Sequence, residues 1–260
     1  PEGKNAFERG ELVEGEKAEV IFKRCTGSDP AGALFHLQAA ALQEKNRTLS
    51  YPVTVGLLGT LLQEKGLTAA VWGNADGAAP NRCAVLIAMD SGGEVSTGAV
   101  GEDLLQDAPL SPYGVRADIE KIAGAVAANI EDANLHLVEF GDSSRLDDYW
   151  PQLNAVRGEA LFRLTMEHLD LLIGKLLPLL DRKSSLLLVT PSLPLNRPAG
   201  GDQLTPLLLV AAGGSASGLL SSAATRRPGL VQNTDLVSII LSLLDRSEEH
   251  TSELQSHHDL

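Results

Sequence analysis

Acids and amides in loops that follow apolar, strand-like runs are the residues best suited to chemistry in this chain. The run at residues 67–72 is followed by Asn74 and Asp76, and the run at 135–140 by Asp142, Asp147 and Asp148. A carboxylate just past a strand can hold a hard cation through its oxygens or bind a polar ligand. The same residues also suit plain structure: Asn74 and Asp76 a turn before Gly77, Asp142 or Ser143 the start of a helix. Of the six histidines, His36 and His168 fall in helical patterns and His136 inside a strand; His250, His257 and His258 lie near the C-terminal end. None follows a strand, so structural roles are expected for the first three. Cys25 and Cys83 permit one disulfide but have no Cys or His at metal-ligand spacing. Arg226 and Arg227 suit an anion or a solvated surface loop. The chain has no nucleophile elbow, phosphate loop or dinucleotide fingerprint.

These positions depend on the elements around them. Apolar runs at residues 67–72, 82–89, 135–140, 185–189 and 206–210 predict five strands. The run at 82–89 is apolar on both faces, as suits a strand covered by helices on both sides. Helices are predicted at 32–49, from Leu34, Leu37, Ala41 and Leu42, and at 55–65, closed by Gly66. Further helices are predicted at 117–130, 155–180 and 236–244, the last introduced by Asn233, Thr234 and Asp235. Residues 1–30 look loop-rich apart from a short helical patch at 18–23, and 101–115 read as a loop. Strands alternating with helices predict an α/β domain with a mainly parallel sheet and helices on both faces. Ligands in such folds bind beyond the carboxyl ends of the strands.

Composition narrows the partners. The chain has 260 residues, 43% of them hydrophobic, which is enough for a sizeable core. Its net charge of −13 argues against a nucleic-acid partner. The apolar stretch at 204–220 is interrupted by Pro206, Gly213, Gly214 and Gly218, so it does not read as a membrane span. Residues 246–257, RSEEHTSELQSH, resemble the in-frame translation of a sequencing adapter. They show no apolar periodicity, so the fold is expected to end at Asp245 and residues 246–260 to form a disordered tail. Pro1 is not an initiator, and the chain is expected to begin inside a longer reading frame.

Three segments in order resemble the alkaline phosphatase, sulfatase and cofactor-independent phosphoglycerate mutase superfamily. VGLLGTLLQEKGLTAAVWGN, residues 55–74, is similar to its helix, glycine and strand. HLDLLIGKLLPLLDRKSSLLLVT, residues 168–190, is similar to the helix that feeds the strand ending at an Asp-His ligand pair. GLVQNTDLVSIILSLLD, residues 229–245, is similar to its terminal helix. The resemblance implies that residues 1–245 form a partial domain of this kind, lacking the first strand and its nucleophile. It points to a bacterial branch linked to the cell envelope, extracytoplasmic, with membrane-linked segments outside this chain.

Active members hold two divalent metals, through Asp and His, around a Ser or Thr nucleophile. Asp142 stands where the family has an Asp, which makes it the metal-ligand candidate. Leu146 takes the place of the following His, with Asp147 and Asp148 beside it. After the fourth strand the expected Asp-His is replaced within Thr190, Pro191, Ser192 and Leu193, and the segment from Asp202 and Gln203 lacks the expected His. The implied function is a degenerate domain with a binding or structural role, needing no cofactor and open to a small anionic ligand. One alternative is a Zn- or Mn-dependent phosphate or sulfate ester hydrolase or transferase whose nucleophile lies upstream. Another is an unrelated α/β small-molecule-binding domain.

Overall fold

A computed structural model describes residues 6–49, 53–193, 204–211, 218–222 and 224–252. The chain divides into two compact units, residues 1–173 and 174–260. The first unit opens with β1 (Ala6–Glu8), the hairpin of β2 (Leu12–Val13) and β3 (Glu16–Lys17), and α1 (Ala18–Thr26). β4 (Leu34–His36) and α2 (Ala39–Arg47) follow, then α3 (Leu57–Glu64), β5 (Ala69–Trp72) and α4 (Cys83–Ala88). Short strands β6 (Glu94–Val95), β7 (Thr97–Ala99), β8 (Leu105–Asp107) and β9 (Val115–Ala117) lead to α5 (Ile119–Ala128). β10 (Leu135–Val138) and α6 (Asp142–Tyr149) come next, and α7 spans Ala155–Leu176.

The architecture is mixed α/β. Its parallel sheet has three strands in the order β10-β5-β7, with Leu135 opposite Ala69 and Ala70 opposite Thr97. β5 is buried at all four positions, so both its faces are covered. A second three-stranded sheet, β1-β4-β6, is antiparallel, as are the pairs β2–β3 and β8–β9. The mainly parallel sheet expected from the strand–helix alternation is therefore corrected to a small parallel sheet beside antiparallel ones.

Local sequence explains the helices well. α5 buries Ile119, Ile122, Ala123 and Val126 along one stripe, and its N-cap Asp118 accepts the Lys121 amide at 3.1 Å. α3 ends where Gly66 takes a positive φ of 73°, as the C-cap reading required. Gly59 on α3 lies so close to α4 that an added Cβ would stand 2.4 Å from the Ala88 carbonyl oxygen.

Several expected elements differ. Residues 82–89 hold the helix α4, not a strand, because a short run apolar on every side fits a buried helix equally well. The helix expected from residue 32 is the strand β4 followed by α2. β4 pairs on both sides, with β1 and β6, and Leu34, Phe35 and His36 are all buried. Those ladder bonds and that burial outweigh the helical spacing. The loop-rich lead-in is structured: Phe7, Ala18, Phe22 and Phe35 form one apolar cluster, with Phe22 and Phe35 rings 4.9 Å apart. Residues 105–107, inside the expected loop, pair as β8 with β9 at 115–117, at its end.

The second unit pairs β11 (Ser185–Val189) with β12 (Leu207–Ala211), antiparallel, Leu187 opposite Leu209. A capping box between Gln232 and Asp235 precedes α8 (Leu236–Ser252). The Asn233 side chain also donates to the Pro191 carbonyl at 2.9 Å. α8 runs past Asp245, the end expected from the adapter-like segment. Arg246, Ser247, Glu248 and Glu249 include no Pro or Gly, so nothing in their backbone chemistry stops a helix already formed. Asp202 and Gln203 lie outside the described residues. Among the described residues no helix is long and apolar enough to cross a membrane.

Candidate functional site

The carboxyl ends of β5 and β10 meet at two glycines. An added Cβ on Gly73 would stand 2.5 Å from the Glu139 carbonyl oxygen, and one on Gly141 would stand 2.0 Å from that of Asn74. Only residues without a Cβ let the loops after the two strands touch. That contact brings together Asn74, Asp76, Glu139 and Asp142, residues that immediately follow the two strands.

Asn74 is buried and fully used. Its amide nitrogen donates to the Val100 and Gly101 carbonyls, at 2.9 and 3.0 Å, and its Oδ1 accepts the Asp76 amide at 3.0 Å. The last bond is the turn expected from the sequence. Asp76 takes the Arg82 guanidinium, at 2.8 Å from Nη2, and the Asn81 amide at 2.7 Å. Arg82 in turn donates through both Nη atoms to Glu11, each at 2.6 Å. Burial opposes the charge on Arg82, yet Glu11 and Asp76 more than offset it and hold the guanidinium firmly protonated.

Asp142 is the first residue of α6 and is buried. Its Oδ1 accepts Arg145 Nη2 at 2.7 Å and the Ala117 amide at 2.9 Å, and its Oδ2 accepts His168 Nδ1 at 2.6 Å. Burial pulls this carboxyl upward. The His168 hydrogen bond and the Arg145 charge outweigh burial and hold it below the ordinary carboxylate range. Arg145 Nη1 reaches the carbonyls of Asn74 at 3.1 Å and Asp76 at 3.2 Å. Thus Asn74, Asp76 and Asp142 form one network. Asp147 and Asp148 fall on other faces of α6; Asp148 is exposed and acts on Tyr113, whose phenol burial has already pushed up.

Arg82, Arg145, His168 and Glu139 were not among the residues expected here. The Asp142–Arg145 spacing of three on a helix was the available signal. α7 delivers His168 to Asp142, with its ring 6.0 Å from that of Phe140. His136 is structural, accepting the Trp72 indole N–H at 3.1 Å, and burial lowers its imidazole. Cys25 and Cys83 are not joined in a disulfide. Among the described residues, no three of His, Cys, Asp and Glu stand close enough to hold a metal together.

Glu139 has an unusual carboxyl. It accepts the Cys83 and Ala84 amides, both at 3.2 Å, at the start of α4. Burial, reinforced by Asp76 and opposed by those amides and Arg145, pushes it up to about 7. A group titrating there is in the range for proton transfer near neutrality. Its folded form holds the proton more tightly than the unfolded chain does. Its contribution to stability is therefore full below 4.5, its ordinary value, and lost as pH rises through about 7. Glu139→Gln cannot ionise. Its stability relative to wild type is expected to rise by about 3 kcal/mol between about pH 4 and pH 8. Urea unfolding at both pH values measures this, and a constant difference would mean that Glu139 titrates normally.

No protein-family model, curated protein or solved structure matches this chain.

Proposed function

We propose that the chain is a degenerate alkaline-phosphatase-like domain with a structural or binding role in a bacterial envelope protein. The observation that carries this reading is the state of Asp142. It is the acid at the expected ligand position, and both its oxygens are taken, by Arg145 and His168. A divalent metal beside a buried guanidinium would meet like charge. The two-metal centre implied by the resemblance therefore does not fit the residues present. Thr190, Pro191, Ser192 and Leu193, after β11, bring no carboxylate or imidazole to replace an Asp-His pair.

The arrangement supports rigidity better than turnover. Arg145 cross-links the loops after β5 and β10, and Arg82 ties the loop after β5 to the N-terminal segment through Glu11 and the Ala6 carbonyl, the latter at 3.1 Å. With both arginines committed to carboxylates, a small anionic ligand would have to use other cations, such as the exposed Arg226 and Arg227. Elemental analysis of the purified protein, together with assays on generic phosphate and sulfate esters, tests the proposal. Trace metal and no hydrolysis are expected. Near-stoichiometric Zn or Mn, with activity abolished by Asp142→Ala, would establish the hydrolase instead.

A further inference from the structure

We propose that Arg145 is a built-in substitute for a divalent cation, and that the oxygen cage it fills takes Ca²⁺ once the guanidinium is removed. The inference rests on the contacts around Arg145 and not on the family reading. Four oxygens surround the Nη end: Asp142 Oδ1 lies 2.7 Å from Nη2, and the Asn74 carbonyl, the Asp76 carbonyl and Asn74 Oδ1 lie 3.1, 3.2 and 3.4 Å from Nη1. One carboxylate, two backbone carbonyls and one side-chain amide make the kind of hard-oxygen donor set that Ca²⁺ uses.

The cage reads charge more than guanidinium shape. Arginine commonly meets a carboxylate with two parallel bonds. Here Asp142 offers it a single oxygen and gives the other to His168. The buried Nε has no hydrogen-bond partner among the described residues. Nη1 instead faces three oxygens from two residues of one loop.

The cage also has supports that do not depend on Arg145. Val100 and Gly101 hold the Asn74 amide, and Ala117 and His168 hold Asp142. The close approach of Gly141 to Asn74 fixes the spacing of the two loops. Supports of this kind orient ligands before any ion arrives. Removing the guanidinium would leave the Asp142 carboxylate buried without its main cation, which favours a replacement. Ca²⁺–oxygen distances are about 2.3–2.6 Å, so oxygens now shared between two nitrogens must close on one centre, with water completing the shell.

The test compares Arg145→Ala with wild type by thermal unfolding, in about 10 mM CaCl₂ or in NaCl of matched ionic strength. A single-carboxylate site implies a Kd of roughly 1 mM, so Ca²⁺ should raise the midpoint of the variant by about 3–5 °C. The wild type should not respond, and the double variant Arg145→Ala/Asp142→Asn should lose the response. If Arg145→Ala is unfolded alone, refolding on Ca²⁺ addition is the expected result. A folded variant without a Ca²⁺-specific shift overturns the proposal. So does an equal shift in wild type or in the double variant, or a variant that stays unfolded at every Ca²⁺ concentration.

Discussion

Arg82→Met is expected to lower the stability of the first unit by about 3–5 kcal/mol, among the largest effects of any single substitution in this chain. Arg82 is 1% exposed, and all five of its N–H groups have acceptors: Ala6, Glu11 twice, and Asp76 from both Nε and Nη2. Methionine keeps an apolar stem of similar length but loses the guanidinium carbon, which lies over the Phe7 ring, 5.7 Å from its centroid. It removes the cation that pairs with both Glu11 and Asp76. The cost is therefore two carboxylates left without a cation, more than the loss of one favourable pair. Trp72 and Trp150, the two tryptophans of the chain, both lie in residues 1–173, so their fluorescence in urea reports this unit alone. A midpoint within experimental error of wild type would show that Glu11 and Asp76 are not held by Arg82. Arg82→Met/Glu11→Gln should recover part of the loss, because one of the stranded charges is gone.

The elements that could be read from sequence are those whose signal is local. β5, β10 and β11 are short apolar runs ending in polar loops, and each folds within two residues of its expected span. α5 and α7 carry unbroken helical periodicity. β7 could not be read, because Thr97-Gly98-Ala99 has almost no strand character. It is a strand because β5 offers a ladder, and because Gly98 lets its backbone approach Val71, whose carbonyl would lie 2.3 Å from an added Cβ. α4 was misread for the opposite reason: CAVLIA is strongly apolar, and apolarity without a period does not separate a buried helix from a strand.

The site divides in the same way. Asn74, Asp76 and Asp142 could be found because strand ends position whatever follows them. Apart from the local pairs Asp142–Arg145 and Asp76–Arg82, the bonds that join them could not, because they cross long stretches of chain: Arg82 meets Glu11, Arg145 meets Asn74, and His168 meets Asp142. Sequence shows that a carboxylate stands at the sheet edge. It does not show whether the interior cation beside it belongs to the protein or comes from solution, and that difference separates a structural network from a metal centre.

Asp142→Ala is the second large effect, again about 3–5 kcal/mol at neutral pH. It leaves the Arg145 charge buried, and it strips the His168 Nδ1 and the Ala117 amide of their acceptor. The pH dependence follows from the depressed carboxyl. Because the folded form titrates below the ordinary 3.8, the stability contributed by ionised Asp142 is fully present above that value. It is lost only as pH falls through the lower, folded-state value. The gap between wild type and Asp142→Ala should therefore stay constant from pH 7 down to about pH 4 and narrow below it. Urea unfolding across that range, followed by tryptophan fluorescence, measures the gap directly. If the gap closes already between about pH 7 and pH 5, then burial dominates the Asp142 carboxyl, and the Arg145–His168 clamp is not what sets its charge.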